Sequence, residues 1–473
     1  MMLRIIAHAI QRRALAGSWY ARARCVGLMF ATTFAAAPVR GQTPGNPITR
    51  EVAAVAGAPS LDSLIAHALE ANPRIRAARA QIESARARVA PAGTLPDPML
   101  GVGIMNLPVA EPGFDDFMTM KTVAVGQQLP YPGKLALARR AAEYELRAAE
   151  ARLDVARVDV VADTRIAYYE VAFIDRAAEV VEQRQRLVVD VIQAAQSRYA
   201  VGTGGQADVL RARVEASRLA EEAVVLAETR RASVARLNEL LSRPSETPLP
   251  AAPISDRIAR AAVSDDASEI RFASSTPGAR VADSPVPPLA ELQERAVRNS
   301  PVLRAHEAEI AAQAARLELA GRTHLPDFDV SLQYGQRSDR TDMASIMVSV
   351  PLPIRRGARQ DAAVAETRAE LAAMEAGHHV MVNRLHADVA ELHAALERSR
   401  AQLALFVASI LPQGRAAVES ATASFRVGRT DFTTLLESKK TLFDYETMVH
   451  RAFTDFATTL AELERVVGTE VLR

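Results

Sequence analysis

The sequence predicts a mainly α fold with a small β part, laid out twice. Three observations carry that prediction. Residues 134–201 contain neither Gly nor Pro, the two strongest helix breakers. A layout of short helix, second helix, alternating runs and long helix recurs in the second half of the chain. Four runs of apolar–polar alternation, about 9–11 residues each where they are clean, interrupt an otherwise helical pattern.

Residues 1–41 read as an export signal. Arg4, Arg12, Arg13, Arg22 and Arg24 form a basic leader. The stretch CVGLMFATTFAAA that follows has about 13 residues, too few to span a bilayer. Val39 and Gly41 suit the positions before a cleavage point, giving a mature start at Gln42. The sole cysteine, Cys25, falls inside this segment, so the mature chain is expected to lack thiol chemistry. Residues 42–60 form a loose N-terminal segment.

Residues 61–242 and 289–473 are two copies of one unit, which means internal duplication. Leu61 matches Leu289, Pro73 matches Pro301, Ile82 matches Ile310, and Leu95-Pro96-Asp97 matches Leu325-Pro326-Asp327. In each copy a short helix ends before Asn-Pro or Ser-Pro, because a residue preceding Pro avoids the helical region. A second helix then runs to about Ala92 or Ala320, where Gly93 or Gly321 is expected to close it.

The period next changes from 3.6 to 2. Leu100, Val102 and Ile104 alternate with glycines, and a less regular run follows over residues 119–129. In the second copy Phe328, Val330, Leu332 and Tyr334 alternate with polar residues, then Ile346, Val348, Val350 and Leu352 do so. A half-buried soluble hairpin shows this pattern too. Context favours tilted membrane strands, with one apolar and one wet face. Four strands cannot close a barrel, so their edges would have to be paired by other subunits.

Pro130-Tyr131-Pro132-Gly133 launches the first long helix, about 68 residues and roughly 100 Å at 1.5 Å per residue. Charges such as Asp154, Arg157, Asp159, Asp163 and Arg165 make it a water-exposed rod. The second long helix, residues 358–425, contains Gly377 and is expected to kink at Pro412. Each rod ends at a Val-Gly turn, and a return helix (206–242; 431–467) forms a hairpin with it. Residues 243–288, rich in Pro, Ala and Ser, read as the linker between copies.

Net charge is +1, which argues against a nucleic-acid partner. No phosphate loop, HExxH or nucleophile elbow occurs, so no enzyme and no cofactor is expected. Met99, Met105, Met118 and Met120 cluster at the first hairpin, where packing is favoured over soft-metal binding. His378-His379 with His386 reads as exposed helix histidines rather than a metal site.

The duplication, the LPDP and LPDF strand lead-ins, the LPYPGK launch and the paired Tyr/Phe-x-Val-Gly turns resemble the TolC-like outer-membrane efflux family. PDPMLGVGIMNLP and MTMKTVAVGQQLPYPGKL look closest to its heavy-metal and cation branch. The resemblance implies a homotrimer in the outer membrane. Each protomer would give four strands to one twelve-stranded barrel, with duplicated helical hairpins forming a periplasmic tunnel. A periplasmic adaptor and an inner-membrane pump are the implied partners.

The adaptor would meet the tips, Val201, Gly202 and Thr203 with Val427, Gly428 and Arg429. Some relatives close the tunnel with acids six and nine positions after the second-copy Gly. Here those positions are Thr434 and Glu437, with Asp208 and Asp431 as further candidate entrance acids. The implied function is a passive efflux duct. Drugs or secreted protein are the alternative cargo, and a soluble periplasmic coiled-coil scaffold is the alternative class.

Overall fold

A computed structural model describes residues 60–109, 113–250, 286–338, 340–352, 354–427 and 429–472. The expected export signal, nearly all of segment 42–60 and most of the linker lie outside the described residues. The chain runs α1 (Leu61–Ala71), α2 (Pro73–Ala92), β1 (Met99–Met105), β2 (Met120–Leu129), α3 (Lys134–Ala200) and α4 (Gln206–Leu240). The second copy gives α5 (Leu289–Asn299), α6 (Pro301–Gly321), β3 (Phe328–Arg337), β4 (Met343–Ser349), α7 (Arg356–Leu405), α8 (Leu411–Arg426) and α9 (Phe432–Val467).

The repeat extends to the caps. Asn72 and Ser300 both cap the helix that follows: Asn72 Oδ1 accepts from Arg74 N at 2.9 Å, and Ser300 Oγ from Leu303 N at 3.4 Å. The return helices end alike, with Ser242 at φ 54° and Gly468 at φ 78°. The stop expected at Gly93 holds, since α2 ends at Ala92, and the one expected at Gly321 falls one residue later. Gly93 has φ −101° rather than a left-handed value, and Gly321 stays helical at φ −58°. A Cβ on Gly93 would lie 3.0 Å from Arg139 Cδ, so close approach of α3 accounts for that glycine.

α3 is one helix of 67 residues. Its counterpart begins at Arg356, two residues before the sequence expectation, and is interrupted by a π-helical segment, Phe406–Ile410. Pro412 explains the break: it offers no N–H to the carbonyl of Ala408, and its ring crowds that carbonyl. The main core gathers α1, α2, α3, α4, α5, α7 and α9 around Leu64, Ile75, Val160, Val171, Leu237, Leu292, Leu396, Phe456 and Leu463. Toward the turns only small clusters persist, Val181–Val188–Leu219 and Val191–Ala212. Buried alanines such as Ala141, Ala148 and Ala162 let the rods approach closely.

The strands form one antiparallel sheet in the order β1-β2-β3-β4, with β1 and β4 as edges. Register fixes the faces, since directly opposed residues share one. Leu100, Val102, Val123, Val125, Leu332, Tyr334, Ile346 and Val348 share an apolar face that is largely exposed. The other face carries Thr122, Ser331, Gln333, Ser345 and Ser349, with Gly101, Gly103 and Gly126.

Candidate functional site

At the far end of the rods α3 turns into α4 through a Schellman motif. Gly202 N donates to Tyr199 O at 3.0 Å and Thr203 N to Arg198 O at 2.9 Å. Gly202 takes φ 75°, a left-handed conformation that costs a side chain about 1–2 kcal/mol. Arg429 N donates to Ser424 O at 2.9 Å, the same 6→1 bond in the second copy. Gly428 lies outside the described residues.

Both turns present apolar side chains to water: Val201 is 72% exposed and Val427 68%. Arg198 bridges them, its guanidinium 5.3 Å from the Phe425 ring centre. The two turns therefore sit side by side as one bipartite tip. A cleft of about 350 Å³ beside it is lined by Ala195, Arg198, Gly202, Thr203, Asp208 and Asp431.

The four positions weighed as entrance acids separate here. Asp208 and Asp431 share that cleft with Arg198. Asp431 caps α9, accepting from Thr434 N at 3.1 Å. The Thr434 hydroxyl, its amide and the charge of Arg211 hold the Asp431 carboxyl below the usual range. Thr434, at the position of the missing acid, is thus the donor that fixes Asp431. Glu437 is exposed and stands apart from the cleft, one turn further along α9.

Two charge centres went unread in the sequence. Arg184 on α3 is buried, with Asp444 of α9 at 3.4 Å, Glu215 of α4 at 3.6 Å and Glu222 at 3.8 Å, so it ties both hairpins together above the tip. At the sheet end, the launch motif of copy one meets the strand lead-in of copy two. Lys134 Nζ donates to Asp327 Oδ1 at 2.8 Å and to Leu325 O at 2.7 Å, and Tyr131 N donates to Asp327 Oδ1 at 2.8 Å. Partial burial pushes the Asp327 carboxyl up, but these hydrogen bonds and the lysine charge bring it below its ordinary value. Both motifs were visible as strings. Their contact spans 193 residues of sequence, and nothing local announces it.

The register places Met105 and Met120 on the polar face of the sheet. His378 stacks on His306 with ring centres 5.7 Å apart. Among the described residues no group of three His, Cys, Asp or Glu side chains is placed to hold a metal.

Known proteins share this fold. The chain is 25% identical over 399 residues to the cobalt-zinc-cadmium resistance protein CzcC of Cupriavidus metallidurans, covering 82% of this chain and 85% of that protein. The fold matches the outer-membrane channel OprN with TM-score 0.70 at 19% identity, over 88% of this chain and 91% of that one. VceC of Vibrio cholerae gives 0.69 at 17%, over 87% and 96%, and CusC gives 0.69 at 14%, over 91% and 99%. Residues 64–243 and 292–469, most of the chain, match the family described as outer membrane efflux protein, and to that family this chain belongs.

Proposed function

We propose that this outer-membrane efflux channel works as a homotrimer, a passive duct that carries heavy-metal cations outward from an inner-membrane pump and its periplasmic adaptor. The soluble-scaffold alternative falls with family membership. The single observation that carries the duct is the four-stranded sheet, whose exposed apolar face needs lipid and whose two edges need partners.

The trimer has a further support in the repeat. The Lys134–Asp327 clamp joins copy one to copy two within the chain. Its counterparts, Asp97 beside edge strand β1 and Arg355 and Arg356 after edge strand β4, are exposed at opposite edges of the sheet. A ring that pairs β4 of one protomer with β1 of the next brings these opposite charges together in the same relation. The polar face then lines the lumen.

Adaptor docking belongs to the bipartite tip, Val201, Gly202, Thr203, Val427, Gly428 and Arg429. Its exposed valines and shared cleft suit the end of a helical hairpin. Asp208, Asp431 and Glu437 give the entrance a negative field that favours cations. The metal cargo rests on the similarity to the cobalt-zinc-cadmium resistance protein. A deletion strain compared with its parent on cobalt, zinc, cadmium and silver salts and on a drug panel tests it. Sensitivity to metals alone is expected; sensitivity to drugs alone overturns the cargo.

A further inference from the structure

Every methionine in the strands lies on the wet side of the sheet. Met99 and Met105 of β1, Met120 of β2, and Met343 and Met347 of β4 all share the face of Thr122, Gln333 and Ser345. An apolar side chain placed only for packing or lipid contact belongs on the other face, with the valines and leucines.

Three of the five gather at the hairpin end. Met105 stands directly opposite Met120 across β1 and β2. Met343 stands opposite Gly335 across β3 and β4, and Gly335 is opposite Thr122, one same-face step from Met120. Directly opposed residues lie about 4.5–5.5 Å apart at Cα. Gly335 leaves the wall open, and Met120 fills that space: a Cβ on Gly335 would lie 3.1 Å from Met120 Sδ. The Met120 thioether thus lies over β3, between Met105 on one side and Met343 on the other.

The surroundings keep the sulfurs available. Met105 is 41% exposed and Met343 46%. Gln333 Nε2 lies 3.9 Å from Met105 Sδ, which orients that thioether on the wall. Arg337, opposite Met120, is turned into the β3–β4 loop, where Nε and Nη2 donate to Thr341 O at 2.9 and 2.6 Å. Thioethers are uncharged, polarizable donors that select soft cations. Neutral donors leave the charge of the ion uncompensated, so the ion is held weakly and released, as conduction requires.

We propose that Met105, Met120 and Met343 form a three-thioether site for a soft monovalent cation of the Cu(I) and Ag(I) class on the inner wall of the barrel. The site rests on strand register and on the Met120 thioether lying over Gly335; its place on a cargo path rests on the duct reading above. The test uses the full-length protein purified in detergent and titrated with silver nitrate in chloride-free buffer, followed by calorimetry. The variant Met105→Leu/Met120→Leu/Met343→Leu removes the sulfurs at nearly constant volume. The variant Met99→Leu/Met347→Leu controls for thioethers elsewhere on the same face, and Met343→Leu alone, on an edge strand, guards against a folding defect in the triple.

Saturable binding of about one Ag(I) per chain is expected, weakened at least about tenfold in the triple variant and measurably in Met343→Leu, but unchanged in the control. Absence of saturable Ag(I) binding in the unaltered protein overturns the site. So does equal affinity in the triple variant, or an equal loss in the control. Membrane fractionation of the producing cells, before solubilisation, judges the duct separately, since silver binding is read in detergent whatever the membrane of origin.

Discussion

Asp327 sits in the turn before β3, yet it accepts hydrogen bonds from both the backbone and the side chain of a motif in the other copy. Replacing it with Ala leaves Lys134, itself largely buried, without its anion. A loss of roughly 1–3 kcal/mol is expected, read as a lower melting temperature in detergent. The pH dependence has a definite sign. The folded carboxyl titrates below its unfolded value, so the clamp's contribution is complete above about pH 4 and fades as pH falls through the lower folded value. In Asp327→Asn this component is absent, and its stability deficit should shrink toward acid pH. A deficit that grows with acidification would contradict the assignment. At the other end, Val201→Asp places a charge on an exposed turn without touching a core. Unchanged melting with loss of efflux is the expected pair of results, and intact efflux would remove Val201 from the docking surface.

The elements differ in how much of them could be read from sequence. The absence of Gly and Pro marked α3 to within a residue at each end, and period-two alternation located β3 and β4. Register was not legible, because alternation says that a strand has two faces but not which partner residue stands opposite. That is why Met105 and Met120 could not be placed from their strings. Gly93 closes α2 as a glycine after a helix signals, but without a left-handed turn, and its bare backbone makes room for Arg139. Pro412 announced a break, but the π-helical form depends on the whole helix continuing past it. Gly377 is the simplest element to test. It lies within α7, and nothing stands within 4 Å of where its Cβ would be. Gly377→Ala should raise stability by about 0.5–1 kcal/mol, seen as a higher melting temperature. No change would mean that some contact of the assembled protein needs the bare backbone.

On the scale of the whole molecule, duplication does the work of a ring. One clamp is made within the chain, and its counterpart is left open at the two sheet edges. If three chains close on themselves, Asp97→Arg should weaken the trimer, and so should Arg355→Asp/Arg356→Asp. Combining them should restore it, as measured by resistance to dissociation on heating in detergent. Failure of the combination to rescue would separate these charges from the subunit joint. The tip positions were legible as turns from Val-Gly alone, but their union into one surface depends on Arg198 reaching Phe425, a contact between copies.

The π-helical segment at Phe406–Ile410 has a consequence for rotational phase. From Arg356 to Arg426 the second rod spends more residues than α3 does, yet both end at a common tip. A wider turn absorbs surplus chain without adding matching length. Each residue of an α-helix turns the face by about 100°, so the widened turn acts as an indexing step that decides where α8 points. Inserting one residue after Val418, in ordinary helix where no wide turn absorbs it, should swing Phe425 about 100° away from Arg198. The tip would be mismatched, with efflux lost while the sheet still assembles.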